Sequence, residues 1–211
     1  VLAGLRDVPP VERPTDRRDD DRRALLASCA RCHGVDGRGR GTTAFPRLDL
    51  QTEGWLLDQL QAFADGRRAS GVMLAATAEL TPQDLAWLAA HYAAQATAAA
   101  SPASAIASPA ASDSLRQEGE ALFRAGDAPK GVPACVACHA RAATARDHRY
   151  PALLGQYAGH TRTQLSLYRE GKRSTTEPAK LMTIIAGRMT DRQVEAVAAY
   201  LAAQPAGSVS E

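Results

Sequence analysis

The chain has 211 residues, enough for one large domain or two small ones. Its 25 basic and 23 acidic side chains nearly balance, with a formal charge of +2, so the composition excludes the strongly basic surface of a nucleic-acid-binding protein. No run of apolar residues is long enough to span a membrane, because the alanine-rich stretches are short and broken by polar residues.

The N-terminal region is rich in proline and in charge. Three prolines lie among the first 14 residues, and a run of seven charged residues follows at Arg17–Arg23. We predict a flexible arm over residues 1–20, and we interpret the mixed charges as a solvated first helical turn rather than as a binding patch. The apolar residues after them carry this helix to about residue 33, and they begin a first domain that we place at 21–95.

Apolar residues at helical spacing predict two further helices in this first domain. A glycine-rich loop at 37–41 precedes a predicted helix over 52–64, which Gly66 ends. Thr81–Asp84 is a helix start, with a capping hydroxyl and a proline at the first helical position, and an apolar stripe runs from Leu85 to Tyr92. Because no stretch alternates as strands do, the predicted fold class is all-α.

The two halves of the chain are an internal repeat joined by a linker. Residues 96–112 are almost wholly alanine, serine and proline, so we place a linker there, a second domain at 113–205 and a C-terminal tail at 206–211. Several residues recur 105 positions later, namely Gln59, Leu60, Gly66 and Arg68 as Gln164, Leu165, Gly171 and Arg173. Others recur 109 positions later, because the loop before the last helix is four residues longer in the second half: Thr81, Leu85 and Leu88 as Thr190, Val194 and Val197.

Each half contains one Cys-x-x-Cys-His pentapeptide, Cys29–His33 and Cys135–His139, and the two motifs hold all four cysteines. This motif is the attachment signature of a c-type haem. On one helical turn, residues i and i+3 share a face, so both thiols reach the two vinyl groups on one edge of a porphyrin. The alternative, a zinc site, usually needs a second cysteine or histidine pair, which neither half supplies near its motif.

We therefore predict two haem c groups, one in each half of the chain. The predicted attachment residues and first iron ligands are Cys29, Cys32, His33, Cys135, Cys138 and His139. A second iron ligand is expected from methionine, whose soft thioether favours ferrous iron and raises the potential. Met73 is the single methionine of the first half. When the two halves are aligned, Met182 matches Met73, whereas Met189 matches the apolar Leu80. We predict His33, Met73, His139 and Met182 as the axial ligands.

Other residues near the motifs have two possible roles. Pro46 and Pro151 follow the two motif histidines by thirteen and twelve residues. Their carbonyls could accept the second imidazole N–H of those histidines, or the prolines could simply form turns. His91, His148 and His160 are rival iron ligands, but none of them recurs as a histidine in the other half.

With these residues placed, the chain resembles the dihaem cytochrome c4 family over about residues 24–95 and 114–204. In the first half the resemblance lies in Cys29-x-x-Cys32-His33-Gly34, Phe45-Pro46-x-Leu48, Leu56-x-x-Gln59-Leu60, and Met73 ahead of Leu80–Asp84. In the second half it lies in Gly119-Glu120-x-Leu122-Phe123, Gly131–Cys135, Pro151-x-Leu153-x-Gly155-Gln156, and Met182 ahead of Met189–Asp191. The resemblance implies two cytochrome c folds packed face to face, with their haem propionate edges close together. It also implies single-electron transfer in the periplasm, from a quinol-oxidising complex to a terminal oxidase.

The predicted function is that of an electron carrier and not of an enzyme. Haem is attached to cysteines outside the bacterial inner membrane, so we expect an exported, periplasmic protein whose signal peptide is absent from this chain, and peripheral contact with the membrane surface stays open. The expected partners are redox proteins, with no nucleic acid and no small-molecule substrate. Arg67–Arg68 and Lys172–Arg173 are interpreted as solvated loop charges that could steer such partners.

Two alternatives to the free carrier remain. One is an electron-accepting subunit of a dehydrogenase or reductase. The other is a catalytic dihaem protein, peroxidase-like or thiosulfate-oxidising, which would need one iron with an exchangeable face. Methionine at both repeat positions argues against the catalytic alternative.

Overall fold

The computed structural model describes residues 19–39, 45–95, 111–139 and 149–205. The helices of the first half are α1 (Asp19–His33), α2 (Glu53–Ala64), α3 (Gly71–Thr77) and α4 (Pro82–Ala94). Those of the second half are α5 (Asp113–Ala125), α6 (Val136–His139), α7 (Ala158–Arg169), α8 (Glu177–Arg188) and α9 (Asp191–Ala203), with a short 3-10 turn at Ala128–Lys130. Within the described ranges no strand forms beyond an isolated bridge between Asp127 and Val132, which confirms the all-α fold class.

The helix starts are set by local side-chain chemistry. The Thr52 hydroxyl accepts a hydrogen bond from the Trp55 amide at 3.3 Å, so α2 begins where the sequence predicts. Thr81 and Asp84 form a capping box at the start of α4, in which each side chain satisfies a backbone N–H of the other residue. Such caps satisfy the free N–H groups of a first helical turn, which is why they are visible in sequence.

The N-terminal helix begins inside the charged run Arg17–Arg23, which we interpreted as its first turn. Helix α1 starts at Asp19, two residues inside the segment 1–20 that we predicted as an arm. Three aspartates form its first turn, where negative charge interacts favourably with the helix dipole. The rest of the predicted arm (1–18), most of the predicted linker (96–110) and the predicted tail (206–211) lie outside the described residues.

Both candidate methionine ligands lie on helices, whereas the sequence suggested loops ahead of the last helix of each half. Met73 lies on α3, which is capped by Ser70, and Met182 lies in the middle of α8, which is capped by Thr176. The expectation that a longer loop accounts for the extra residues of the second half is wrong. These residues instead extend α8 to twelve residues, against seven in α3.

The two domains pack their N-terminal helices differently. In the second domain α5 crosses α9 at Gly119, where a Cβ atom would lie 2.0 Å from the carbonyl oxygen of Ala196. Only glycine allows this close approach, and it brings Leu122 and Phe123 into the buried core. Helix α1 of the first domain has no fully buried residue. The second domain therefore has the more extensive protein core around its motif.

None of the helices in the described parts of the chain has the length and apolar character needed to cross a membrane.

Candidate haem sites and the surface between the domains

The first motif forms the last turn of α1. Cys29, Cys32 and His33 lie within Asp19–His33, and Gly34 then ends the helix with a left-handed φ of +76° that few other residues adopt. Both cysteines are half-buried. Burial is the main cause that raises the pKa of the Cys29 thiol, so this thiol lies in apolar surroundings.

The second motif is built by a separate short helix. Cys138 and His139 lie on α6, whereas Cys135 precedes it, and the turn at Gly131–Pro133 separates α6 from α5. Burial raises the pKa of Cys135 to about 11. Cys135 also packs against the same core cluster as Met182, so the structure brings the attachment motif and the candidate second ligand of this domain to one core.

Each motif histidine donates a hydrogen bond to a proline carbonyl, which is the first of the two roles considered for Pro46 and Pro151. Nδ1 of His33 donates to the Pro46 oxygen at 3.4 Å, and Nδ1 of His139 donates to the Pro151 oxygen at 2.9 Å. This interaction assigns the proton to Nδ1 and leaves the Nε2 lone pair for a metal. Burial lowers the pKa of both histidines, and the carbonyl contacts only partly offset that effect. The two imidazoles are therefore neutral at pH 7, as an iron ligand must be.

The rival ligands have other roles where the structure describes them. Met189 is 7% exposed in the core of the second domain. His91 bonds through Nε2 to the Val35 carbonyl at 2.9 Å and stacks on Trp87. His148 lies outside the described residues. Across the described part of the chain no three His, Cys, Asp or Glu side chains are grouped in a way that could hold a metal ion.

Two glutamines join the domains through reciprocal contacts. The Gln156 side chain accepts from the Arg47 amide and donates to the Arg47 carbonyl, both at 3.0 Å. The Gln51 side chain accepts from the Ala152 amide at 3.0 Å and donates to the Ala152 carbonyl at 2.9 Å. Because the partners are equivalent positions of the repeat, the two contacts are related by a pseudo-two-fold arrangement.

Arg68 and Arg173 meet at the same surface between the domains. We call this surface the interdomain seam, and its residues are Gln51, Gln59, Arg68 and their repeat partners Gln156, Gln164 and Arg173. The Arg68 guanidinium donates to Gln59 at 2.7 Å and to Gln164 at 3.0 Å, and Arg173 donates to Gln164 at 2.5 Å and to Gln59 at 3.0 Å. Each guanidinium also lies over an aromatic ring, Phe63 and Tyr168 respectively.

The arginine pair carries positive charge that no carboxylate in the described ranges compensates. Burial, and then the charge of Arg173, lower the pKa of Arg68, and burial lowers that of Arg173. His160 stands near both, and burial followed by the two arginines and His33 lowers its pKa to about 3. Both cations are removed from water, and their hydrogen bonds go to neutral glutamine oxygens. Such a pair favours the binding of an anion between the two charges. Haem propionates are such anions, so the seam fits the propionate edges that the resemblance implied.

The sequence prediction missed this role of the arginines. Arg67 and Lys172 are exposed and pair with Asp65 and Glu170, as expected for solvated loop charges. Arg68 and its repeat partner instead lie in the seam, so their interpretation as solvated charge is wrong. The sequence does contain a signal for this role. Glutamine and arginine occur in both halves of the repeat, as Gln59/Gln164 and Arg68/Arg173, whereas the neighbouring Arg67 is a lysine in the second half.

Comparisons with known proteins agree with this architecture. The family model described as cytochrome c matches residues 22–93 and 116–204. The thiosulfate dehydrogenase electron acceptor of Thiomonas intermedia (strain K12) is 40% identical over 179 residues, which are 85% of this chain and 79% of that protein. The cytochrome c4 of Pseudomonas aeruginosa is 35% identical over 184 residues, 84% of each chain. The solved structure of thiosulfate dehydrogenase (TsdBA) from Marichromatium purpuratum is similar with a TM-score of 0.74 at 33% identity, over 90% of this chain and 41% of that one.

The chain therefore belongs to the cytochrome c family, and within it to the dihaem cytochromes c4. It is an electron-transfer protein with two haem c groups, attached covalently through the cysteine pairs Cys29/Cys32 and Cys135/Cys138. The predicted cofactors and family are thereby confirmed.

Proposed function

We propose that the protein is a periplasmic dihaem electron carrier that accepts single electrons from a dehydrogenase and passes them to a second redox protein. Its axial ligand pairs are His33 with Met73 and His139 with Met182. Haem c supplies the one-electron couple of its iron, and this chain's residues hold the two groups and present them to partners.

The observation that carries the proposal is the distribution of exposed apolar side chains. Among the described residues, the large exposed hydrophobic side chains are Val35, Val72, Leu74, Leu181 and Ile184. Four of these five lie on the helices that carry Met73 and Met182, and Val72 and Ile184 are 69% and 52% exposed. Neighbouring residues on a helix point about 100° apart, so Val72 and Leu74 point away from the direction of Met73.

An exposed apolar patch on each ligand-bearing helix suits brief docking of a redox partner. Such complexes are small and short-lived, and apolar patches on a soluble surface mark interaction sites. One patch on each domain allows one partner to deliver an electron while another removes it.

A thiosulfate-oxidising dehydrogenase is our first candidate for the electron donor. A relative that is 40% identical is named as the electron acceptor of such an enzyme, and a thiosulfate dehydrogenase structure contains a similar fold. Transfer from a quinol-oxidising complex to a terminal oxidase is the second candidate, favoured by the 35% identity to a cytochrome c4. In both cases the chain is a carrier and the chemistry belongs to its partners.

Reduction kinetics with a purified donor test the proposal. The oxidised holoprotein is mixed with a thiosulfate dehydrogenase and thiosulfate, and reduction of both haems is followed by their visible absorbance. We expect Val72→Asp or Ile184→Asp to slow reduction several-fold or more. The matched control is Val35→Asp, which is 60% exposed, between Val72 and Ile184, but lies outside the two methionine-bearing helices, and it should change little.

Three results would contradict parts of the proposal. Reduction by a quinol-oxidising complex but not by the dehydrogenase would assign the second donor. Equal rates in all three variants would exclude the apolar patches as docking surfaces. Turnover of peroxide or thiosulfate by the chain alone would restore the catalytic alternative.

A further inference from the structure

In each domain, one peptide group makes two hydrogen bonds, one to a residue of its own domain and one to a residue of the other domain. The carbonyl of the Pro46–Arg47 peptide accepts from His33 Nδ1, and the N–H of the same peptide donates to Gln156 of the other domain. The Pro151–Ala152 peptide repeats this arrangement. Its carbonyl accepts from His139 Nδ1 at 2.9 Å, and its N–H donates to Gln51 at 3.0 Å.

The two hydrogen bonds of one peptide strengthen each other. Amide resonance links the N–H and the C=O, so an acceptor placed on the N–H makes the carbonyl oxygen more negative. A more negative oxygen draws the imidazole Nδ1–H more strongly and raises the basicity of the opposite ring nitrogen. An axial ligand that donates more electron density stabilises oxidised iron over reduced iron, which lowers the reduction potential.

We propose that Gln51 and Gln156 are positioning residues that tune the haem of the opposite domain. Gln51 acts on His139 through the Pro151–Ala152 peptide, and Gln156 acts on His33 through the Pro46–Arg47 peptide. This inference rests on the proposed role of His33 and His139 as axial ligands.

The geometry around both glutamines keeps the contacts fixed. Each side chain is only 5% exposed and is attached at two points, because its amide also donates to the carbonyl of the residue whose N–H it accepts. A buried amide cannot turn to water without leaving a polar group unsatisfied. In the first domain Arg47 is fixed further by a buried pair of contacts with Asp49, at 2.9 and 2.5 Å.

A purely structural role for the glutamines makes a different prediction. If they only hold the domains together, their loss affects both haems alike or neither. Tuning through a single peptide affects one haem, and that haem belongs to the other domain. The two roles therefore differ in which haem responds, which a potential resolved for each haem can measure.

The test uses the dihaem holoprotein and the variants Gln51→Met and Gln156→Met, which keep side-chain length but remove the acceptor. The control is Thr175→Val, because the Thr175 hydroxyl donates to the Arg67 carbonyl of the other domain at 2.7 Å and touches neither peptide. Each haem potential is measured by redox titration followed through the methyl NMR signals of that haem. The Nδ1–H proton shift of each histidine is recorded in the reduced state.

We expect Gln51→Met to raise the potential of the haem bound by His139 and to leave the other unchanged. At a fixed ambient potential the reduced-to-oxidised ratio should rise roughly two- to tenfold, where tenfold corresponds to 59 mV for one electron. Gln156→Met should produce the mirror result with a smaller shift, because the His33 contact is longer, at 3.4 Å. The Nδ1–H shift should move only for the histidine of the affected haem.

The inference is overturned if the reduction potential shifts for the haem of the mutated domain, if it shifts equally for both haems, or if neither potential shifts. A change of the same size in Thr175→Val would assign the effect to general loosening of the seam. If Gln51→Met does not accumulate, Gln51→Leu and the mirror variant Gln156→Met give the same decision. Absence of paramagnetically shifted imidazole signals from His33 or His139 in the oxidised, unmutated protein would instead refute their assignment as axial ligands, so the two failures are distinguishable.

Discussion

Replacing Arg68 by methionine tests whether the seam holds anions, because the sign of the stability change depends on them. If the pair of guanidinium groups faced only glutamines, removing one would lose its contacts but would also relieve repulsion between desolvated cations, so the stability would change little or increase. If each guanidinium binds a propionate, the substitution leaves a buried carboxylate unpaired.

The expected loss comes from the unpaired carboxylate. The hydrogen bonds from Arg68 to Gln59 and Gln164 and its contact with Phe63 at 4.4 Å are lost whether or not a propionate is bound, and relief of the repulsion from Arg173 offsets them. A buried charge left without its partner costs about 3–5 kcal/mol. We therefore expect Arg68→Met to lower the free energy of unfolding of the holoprotein by about 3 kcal/mol.

Denaturant unfolding of the holoprotein, followed by haem absorbance and by circular dichroism, measures this change. The matched control is Arg67→Met, one residue away, whose exposed side chain pairs with Asp65 and should contribute less than about 1 kcal/mol. A neutral or stabilising effect of Arg68→Met would refute our inference that propionates bind between the arginines. Arg173→Met with Lys172→Met repeats the comparison in the second domain.

Three further predictions concern the axial ligands and the protein core. Met73→Ala and Met182→Ala should each remove one half of the methionine–iron charge-transfer absorbance, and full absorbance in either variant would show that its methionine is not a ligand. His91→Ala should leave that absorbance intact, because its Nε2 is bound to a backbone carbonyl, and a loss would make His91 a ligand. Gly119→Ala should lower the melting temperature by well over 5 °C, since its Cβ would collide with the Ala196 carbonyl and such overpacking costs about 1–3 kcal/mol or more. An unchanged melting temperature in calorimetry would contradict the close helix crossing.

Features encoded by local chemistry could be predicted from the sequence. The threonine caps of α2 and α4, the all-α class and the hydrogen bonds from the motif histidines to the prolines depend on residues close to one another in the chain. The repeat also predicts Met182 rather than Met189 as the ligand, and the structure places Met189 in the buried core. These signals need no knowledge of how the domains pack.

Helix α3 was not predictable in the same way. It has seven residues and begins with glycine, so it is too short to show a helical period and has low intrinsic propensity at its start. The separate helix α6 is shorter still, because the turn at Gly131–Pro133 interrupts the chain before the second motif. In both cases tertiary packing decides what the local sequence leaves open.

The seam depends on contacts between residues about a hundred positions apart. Whether Arg68 is solvated or enclosed is decided by Gln164 and Arg173 of the other half, and nothing in the residues around Arg68 carries that information. Its exposed neighbour Arg67 looks the same in sequence. Only the repetition of the position in the second half distinguishes the two arginines before the structure is known.

The reciprocal glutamine contacts have the form of an isologous interface. In a symmetric dimer each subunit offers the same patch, so residue i meets residue j while j meets i, as Gln51 meets Ala152 and Gln156 meets Arg47. Here both copies belong to one polypeptide, so their association is intramolecular. A linker raises the effective concentration of each half near the other to the millimolar range. The contacts can therefore be few and polar, and they need to specify an orientation rather than supply the affinity of a free dimer.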